Sequence, residues 1–405
     1  MKRIIILGDG MADEPLEALG GKTPLEYART PNMDMLAKLG VNGTLETVPQ
    51  GFAPGSEIAN MTLLGYDVES EFEGRGSLEA ASIGVDLGPG EMALRCNLIT
   101  ISNGLIKNHS AGHISSNEAA VLIDYLNDKL SNDKIRFYRG VAYRHLLVIA
   151  GGDKRVICTP PHDVPGTPFS DVMIKATDGA AGQTAEVLNS LILGSQKLLE
   201  SHPVNIERIK SGRDPANSIW PWSPGYRPAM KSIPDKFPWI GSGSVISAVD
   251  LIKGIGVYAG LESIEVEGAT GLYDTNYEGK AAAAIDELKR KDFVFLHIEA
   301  SDEASHEGDI ALKIKTIEDL DKRVVGPLFE AVKNFDEAVS IAVLPDHPTY
   351  CRLKTHVRES VPFLIYNRDI EPDSVIRYGE RAALNGSLGR LKGSEFIELF
   401  LKQSI

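Results

Sequence analysis

Short apolar runs alternate along this chain with longer stretches of helical spacing, and three of the runs end on acidic residues. Lys2–Leu7 (KRIIIL) leads into Gly8-Asp9-Gly10. Phe293–Ile298 (FVFLHI) leads into Asp302 and then His306, and Val339–Leu344 (VSIAVL) into Pro345-Asp346-His347. Runs of this length and β-branched content predict buried parallel strands. The carboxyl ends of such strands are where an open α/β sheet receives its ligands. The spacing predicts helices near 32–39, where Thr30-Pro31 supplies a start signal, from Ser56 to Leu64, and near 117–131, 246–259, 278–289 and 309–333. Further strands are predicted at 262–266 and 361–366. Segments 92–106 and 136–150 also read as strands, whereas 159–166 and 218–228 (SIWPWSPGYRP) read as punctuated loops. The α/β texture fades around residue 85 and returns near 240. This predicts an α/β core, 1–80 with 241–405, carrying helices on both faces of its sheet, and a smaller inserted α+β domain, 81–240.

A length of 405 residues fits two domains. The balance of 42 basic against 56 acidic residues, a net charge of −14, argues against nucleic-acid or anionic-membrane binding but leaves a small anionic substrate open. No apolar stretch reaches the ~18–20 residues of a membrane span, and the first run falls short of the roughly 7–15 residues of a secretory signal. Cys96, Cys158 and Cys351 are too few and too scattered for a disulfide framework, so a cytoplasmic protein with reduced thiols is expected.

The strand-end residues suggest a metal site. Asp302 and His306, spaced i, i+4, share one face if their segment is helical. Asp346-His347 is an adjacent pair in a turn, His356 follows nine residues later, and Asp9 completes the set. Carboxylates mixed with imidazole, without thiolate, suit Zn²⁺ or Mn²⁺, and six such ligands suffice for the two ions that clamp a phosphoryl transfer. Taken singly, each has an ordinary structural role as a cap, turn or core residue. Ser56, behind a glycine and at a helix start, is the candidate nucleophile, with a helix dipole to receive a phosphate; the same position suits a plain N-cap. Asn60, one turn on, either faces that phosphate or caps a bond. Gly20-Gly21-Lys22-Thr23 is no P-loop, because position 16 is leucine. The GxGxxA at 254–259 follows a helical pattern rather than a strand, and no GxSxG is present.

The segments GDGMADEP (8–15), PGSEIANMTLLGYD (54–67), GRGSLEAAS (74–82), TPPHDVPG (159–166), DTNYEGKA (274–281), HIEASDEASHEGD (297–309) and LPDHP (344–348) together resemble the archaeal-type, cofactor-independent phosphoglycerate mutases of the alkaline phosphatase superfamily, nearly end to end. The resemblance implies an alkaline-phosphatase-like sheet core and interconversion of 3-phosphoglycerate and 2-phosphoglycerate without 2,3-bisphosphoglycerate. It implies that Ser56 is transiently phosphorylated, and that there are two divalent ions, Mn²⁺ foremost, with Zn²⁺, Mg²⁺ or Co²⁺ as substitutes. One ion would be held by Asp302, His306 and His356, the other by Asp9, Ser56, Asp346 and His347. Cations for the substrate are expected from Arg95, Arg139 and Arg144 of the insert and from Lys253 and Lys280 of the core, beside Asn60. The chain departs from many relatives at His113 and at Tyr350-Cys351, which bears on substrate identity. A subgroup with the LPDHP wording is also labelled as proposed homoserine kinase. Kinase-like transfer to homoserine and a metallophosphatase of the same superfamily are therefore alternatives. A noncatalytic metal scaffold is disfavoured by candidate ligands at all seven positions.

Overall fold

The computed structural model describes residues 1–402. It divides into two compact units, Met1–Phe72 with Met230–Ile405, and Glu73–Ala229. These boundaries lie 8 and 11 residues before the predicted ones at 80/81 and 240/241. The first shift arises because helix Arg75–Ser82 packs on strands of the second unit.

The first unit is built on an eight-stranded sheet. In chain order its strands are β1 (Lys2–Gly8), β2 (Val41–Glu46), β3 (Gly243–Ile246), β4 (Glu262–Ser263), β5 (Phe293–Ile298), β6 (Val339–Leu344), β7 (Val361–Tyr366) and β8 (Arg390–Lys392). They lie side by side as β4-β3-β5-β1-β6-β7-β2-β8. All neighbours are parallel except β7, which runs antiparallel to both β6 and β2. The helices that matter here are α1 (Pro31–Leu39), α2 (Ser56–Leu63), α3 (Asp250–Tyr258), α4 (Tyr277–Arg290), α5 (Ala300–Glu307), α6 (Ile310–Leu320), α7 (Gly326–Val332) and α8 (Glu395–Phe400).

Both faces of the sheet are covered, which is why its central strands read as continuous apolar runs rather than alternating ones. On one face Ile4, Ile6, Val294, Leu296, Ile341 and Val343 pack against α1, α4, α6 and α7 through residues such as Leu36, Leu288, Ile317 and Leu328. On the other, Phe363 meets Phe396 of α8 with ring centroids 5.2 Å apart. There too, α3 approaches β3 so closely that a Cβ on Gly256 would lie 2.5 Å from Val245 Cγ1. Register places Leu7 beside both His297 and Leu344, so β1, β5 and β6 reach their carboxyl ends together.

Several elements differ from the expected ones. The helix expected over 246–259 starts at Asp250, and Ile246 instead ends β3. The long helix expected over 309–333 is α6 and α7 joined by a π-helical turn, Asp321–Val325. No strand was predicted at 41–46, yet β2 pairs between β7 and β8.

The second unit is an antiparallel sheet with its own core. Strand Glu91–Ser102 pairs with Arg144–Ala150 on one side and with Ser218–Tyr226 on the other. The latter stretch, expected as a loop, is a strand despite Pro221 and Pro224. It lies at the sheet edge, where a missing N–H costs no ladder bond. Leu122 and Leu126 of helix Ser116–Leu130, and Leu188 and Ile192 of helix Gly182–Leu199, bury Cys96, Leu98 and Trp220. Among the described residues no helix is long and apolar enough to cross a membrane.

Candidate active site

The carboxyl edge of the first unit's sheet gathers the strand-end residues. Asp9 leaves β1 and is completely buried. Gly10 follows at φ +59, and a Cβ there would lie 2.5 Å from Asp302 Oδ1 and 2.6 Å from Thr349 Oγ1, so the chain turns where only glycine fits. Asp302 and His306 lie on α5, so the condition under which their i, i+4 spacing puts them on one face is met. Asp346 and His347 follow β6 and are fully buried. A two-stranded ribbon, Thr349–Tyr350 against Thr355–His356, brings His356 back beside His347, with ring centroids 4.0 Å apart.

The first cluster is Asp302, His306 and His356. Asp302 Oδ2 is 3.1 Å from His306 Nε2, and Asp302 Oδ1 is 3.4 Å from His356 Nε2. The two Nε2 atoms are 2.9 Å apart. His306 Nδ1 donates to the Lys354 carbonyl at 3.0 Å, and His356 Nδ1 to the Pro54 carbonyl at 3.4 Å. A carbonyl only accepts, so each ring carries a hydrogen on Nδ1, and the Nε2 turned toward the carboxylate is bare once the ring is neutral.

The second cluster is Asp9, Asp346 and His347. His347 Nε2 lies 3.6 Å from Asp9 Oδ1, 3.3 Å from Asp346 Oδ2 and 3.2 Å from Ser56 Oγ. Asp346 Oδ1 accepts from the backbone N–H of Gly10 and of its own neighbour His347. Here the tautomer is set by Thr349. Its hydroxyl donates to Asp302 Oδ1 at 2.5 Å, so its oxygen can only accept from His347 Nδ1 at 3.2 Å, again leaving Nε2 bare. A buried ion pair, Lys313 Nζ to Asp13 Oδ2 at 2.9 Å, ties the loops after β1 and β6 together. The ammonium also donates to the carbonyls of Ala12 and Thr349.

Ser56 opens α2. Its N-cap, Gly55, supplies no side-chain bond to the first turn. Asn60 Nδ2 donates both to the Ser56 carbonyl at 2.8 Å and to Asp346 Oδ2 at 2.9 Å. Its amide hydrogens therefore hold Ser56 against the second cluster.

The electrostatics follow from burial. Asp9 is pushed well above the usual carboxylate range, first by burial and then by Asp346, Glu299 and Asp302. Glu299 is pushed up to about 8 by burial and by Asp302. Asp302 is held well below its usual value by hydrogen bonds from His306 and His356, which outweigh its own burial. The hydrogen bond to Asp302 raises His306 to about 9. Carboxylates and bare imidazole nitrogens that face one another out of water need positive charge between them. Asp302, His347 and His356 form one group whose donor atoms lie within 4.8 Å of one another, and Asp9, Asp346 and His347 form another. This donor set fits divalent cations.

The expected substrate cations are dispersed. Lys280 is buried on α4 and lowered to about 8 by desolvation; its Nζ lies 3.5 Å from the carbonyls of Thr270 and His297. Lys253 is paired with Glu265 at 2.7 Å. Arg95, Arg139 and Arg144 belong to the second unit. Arg95 pairs with Glu79 and lies over the Trp222 ring, Arg139 pairs with Asp124 at the surface, and Arg144 is exposed at the start of its strand. His113 sits in the left-handed region at φ 52. Buried Tyr350 ends the first strand of the ribbon and buried Cys351 opens its turn, where Cys351 N–H donates to Asp13.

Sequence reasoning missed Thr349, His297 and Glu299. His297 Nε2 lies 2.8 Å from Asp9 Oδ2, and its Nδ1 lies 3.1 Å from Ser247 Oγ. The available signal was a histidine inside an otherwise apolar, buried strand, two residues before an acid.

Residues 37–205 match the family model described as 2,3-bisphosphoglycerate-independent phosphoglycerate mutase. Proteins of that name from Methanosarcina acetivorans and Methanosarcina mazei are each 51% identical over 405 residues, covering 99% of this chain and 100% of theirs. A probable enzyme of that name from Geobacter sulfurreducens is 45% identical, with 99% of this chain and 100% of its own covered. A solved protein from Pyrococcus horikoshii superposes with a TM-score of 0.84 at 30% identity, covering 100% of this chain and 98% of that one. The cofactor-independent phosphoglycerate mutase from Thermoplasma acidophilum superposes with a TM-score of 0.69 at 30% identity, covering 99% of each chain. Kinship of this depth over the full length of the fold settles the lineage: the chain belongs to the 2,3-bisphosphoglycerate-independent phosphoglycerate mutase family.

Proposed function

We propose that this chain interconverts 3-phosphoglycerate and 2-phosphoglycerate without 2,3-bisphosphoglycerate, through a phosphoserine at Ser56. The observation that carries the reading is the placement of Ser56. Its Oγ lies 3.2 Å from a bare His347 nitrogen, at the first turn of a helix whose N-cap offers no side-chain bond. That turn presents backbone N–H groups and a positive dipole end to a phosphate. Asp302, His306 and His356 would hold one divalent cation, and Asp9, Ser56, Asp346 and His347 the other, Mn²⁺ being the ion we favour. Bound there, the cations would lower the pKa of the Ser56 hydroxyl and offset charge on the phosphoryl oxygens.

Ser56 Oγ attacks phosphorus in line, the bond from phosphorus to the C3 oxygen breaks, and glycerate takes up the proton that Ser56 gives up. The retained glycerate then attacks phosphoserine through its 2-hydroxyl and returns the proton. Asn60 fixes Ser56 to Asp346 throughout. The unit 73–229 is assigned the task of excluding water and supplying cations, and exposed Arg144, outside the ion pairs that engage Arg95 and Arg139, is the candidate among the three arginines.

Purified protein with Mn²⁺ and 3-phosphoglycerate, without ATP, should form 2-phosphoglycerate and a trappable phosphoserine. Ser56→Ala should lose both, with turnover down by at least about 10³-fold. Turnover that survives in Ser56→Ala would sink the scheme, and phosphorylation of homoserine by ATP with no mutase activity would favour the kinase reading.

A further inference from the structure

The Lys313 ammonium lies behind both clusters. Lys313 is on α6, and its side chain and that of its partner Asp13 are both fully buried. Its three hydrogens meet three acceptors: Asp13 Oδ2 at 2.9 Å, the Ala12 carbonyl at 3.0 Å and the Thr349 carbonyl at 2.7 Å. Two of these acceptors belong to the loop after β1, and the third to the ribbon that carries His356. The Ala12 carbonyl also accepts from Thr349 N–H at 3.1 Å, and Asp13 Oδ2 from Cys351 N–H at 3.1 Å, so the same groups grip the ribbon on either side of Tyr350. Thr349 is thereby held through its N–H and its carbonyl, and it pairs with His356 across the ribbon. A β-branched side chain on a fixed backbone has little freedom at χ1. Its hydroxyl therefore stays where it donates to Asp302 Oδ1 at 2.5 Å and accepts from His347 Nδ1 at 3.2 Å. A buried ion pair adds little net stability over apolar residues of the same volume. What three fixed acceptors around one ammonium supply is direction.

We propose that Lys313 is a positioning residue for both clusters at once. Acting through Thr349, it sets the His347 tautomer and the direction of the Asp302 carboxylate together. Asp302 belongs to the first cluster and His347 to the second, so one hydroxyl, held in place by one ammonium, aims a donor of each. The inference rests on the two-cation reading for its effect on cations, whereas its effect on His347 is a property of the metal-free protein.

The test uses the full chain with ¹⁵N-labelled histidine, metal-free at pH 8, where His347 is neutral because burial lowers it. Ring-nitrogen shifts report which nitrogen holds the hydrogen, and Mn²⁺ is then titrated into the same samples. The His347 signals are the pair that His347→Gln lacks, and in the native protein they should show the Nδ1–H form. Lys313→Met combined with Asp13→Asn removes both buried charges and strands neither, so it should fold with a near-native urea midpoint. It should show His347 as a mixture of tautomers and bind Mn²⁺ about 10–100-fold more weakly. Lys313→Arg keeps the charge, but its planar fork cannot send three hydrogens from one nitrogen to three acceptors, and it should show the same two changes. A role in stability alone predicts native behaviour in both readouts for whichever variant folds, and that result would overturn the inference. So would a lost tautomer with undiminished Mn²⁺ affinity, or weaker affinity with native His347 signals. Failure of both variants to fold would show the pair to serve folding itself and would overturn the inference too. A native protein that binds no Mn²⁺, with the tautomer still lost in the variants, would support the inference and sink the two-cation reading.

Discussion

Thr349 decides which nitrogen His347 presents to Ser56. Its single hydroxyl hydrogen goes to Asp302, so the His347 hydrogen must sit on Nδ1. Thr349→Val keeps the shape and removes this constraint. Losing the hydrogen bond that orients a metal-binding histidine costs about 10–100-fold in metal affinity or activity. We expect Thr349→Val to lose that much by Mn²⁺ titration and coupled assay, with its circular dichroism unchanged, and Thr349→Ser to recover most of it. A second residue-scale prediction concerns pH. The hydrogen bond from His306 to Asp302 raises the imidazole to about 9. A raised histidine stabilises the metal-free fold fully below the unfolded value of about 6.5, and the gain is lost as pH rises through about 9. For a cation the sign reverses, because the proton on Nε2 must leave before the nitrogen can bind. Mn²⁺ affinity should therefore climb from pH 6 toward 9 by up to about tenfold per unit, and His306→Asn should flatten the slope. A pH-independent affinity in the native protein would contradict the assignment of His306 as a ligand.

At the scale of elements, the π turn between α6 and α7 has a structural duty. Thr30 makes no side-chain cap on α1. Asp321, inside the π turn, caps that helix from a distance, accepting from Met33 N–H at 2.7 Å and from the Asn32 backbone and side chain. Asp321→Ala strands these donors and should cost about 1–3 kcal/mol, seen as a lower urea midpoint with unchanged slope. Asp321→Asn should cost less, because its carbonyl oxygen still accepts. None of this was legible in the sequence, where 309–333 scans as one helix: a π turn leaves the apolar period nearly intact, and a cap donated across nearly 290 positions leaves no local trace. Strands β1, β5 and β6 were legible because both their faces are buried. The strand Ser218–Tyr226 was hidden by prolines that an edge position tolerates, and β3 by its four-residue length. The site followed the same division. Asp9, Asp302, His306, Asp346 and His347 stood out at strand ends or at helical spacing. Thr349 carries no signal of its own, and His297 was absorbed into an apolar run. The long-range ion-pair partners of Lys253 and Arg95 were likewise invisible, so a list of cations could not tell the engaged from the exposed.

At the scale of the molecule, the second unit interrupts the first between residues whose neighbours stay together. In the first unit, the Tyr66 hydroxyl donates to the Lys231 carbonyl at 2.8 Å, so the outgoing and returning segments meet. In the second, Arg75 N–H donates to Ser223 Oγ at 3.2 Å, and a Cβ on Gly74 would collide with the Pro224 carbonyl, so its two ends also meet. Each unit has its own buried core. An insertion with adjoining ends and a separate core can be removed with little damage to its host. A variant joining Phe72 to Met230 through a short glycine-serine linker should fold cooperatively and keep the proposed cation ligands, all of which lie in the first unit. Its chemistry should change in kind. A glycerate held beside phosphoserine has an effective molarity that can reach ~10⁵ M or more, which lets its 2-hydroxyl outcompete water. If the second unit retains glycerate as proposed, then in its absence glycerate escapes and water takes the phosphoryl group. The shortened protein should thus release inorganic phosphate from 3-phosphoglycerate while forming 2-phosphoglycerate at least about 100-fold more slowly than the full chain. A phosphate-release assay run beside the coupled mutase assay separates the cases. Undiminished mutase turnover would show that water exclusion resides in the first unit, and loss of both activities with metal still bound would show that the second unit supplies groups needed for the first transfer.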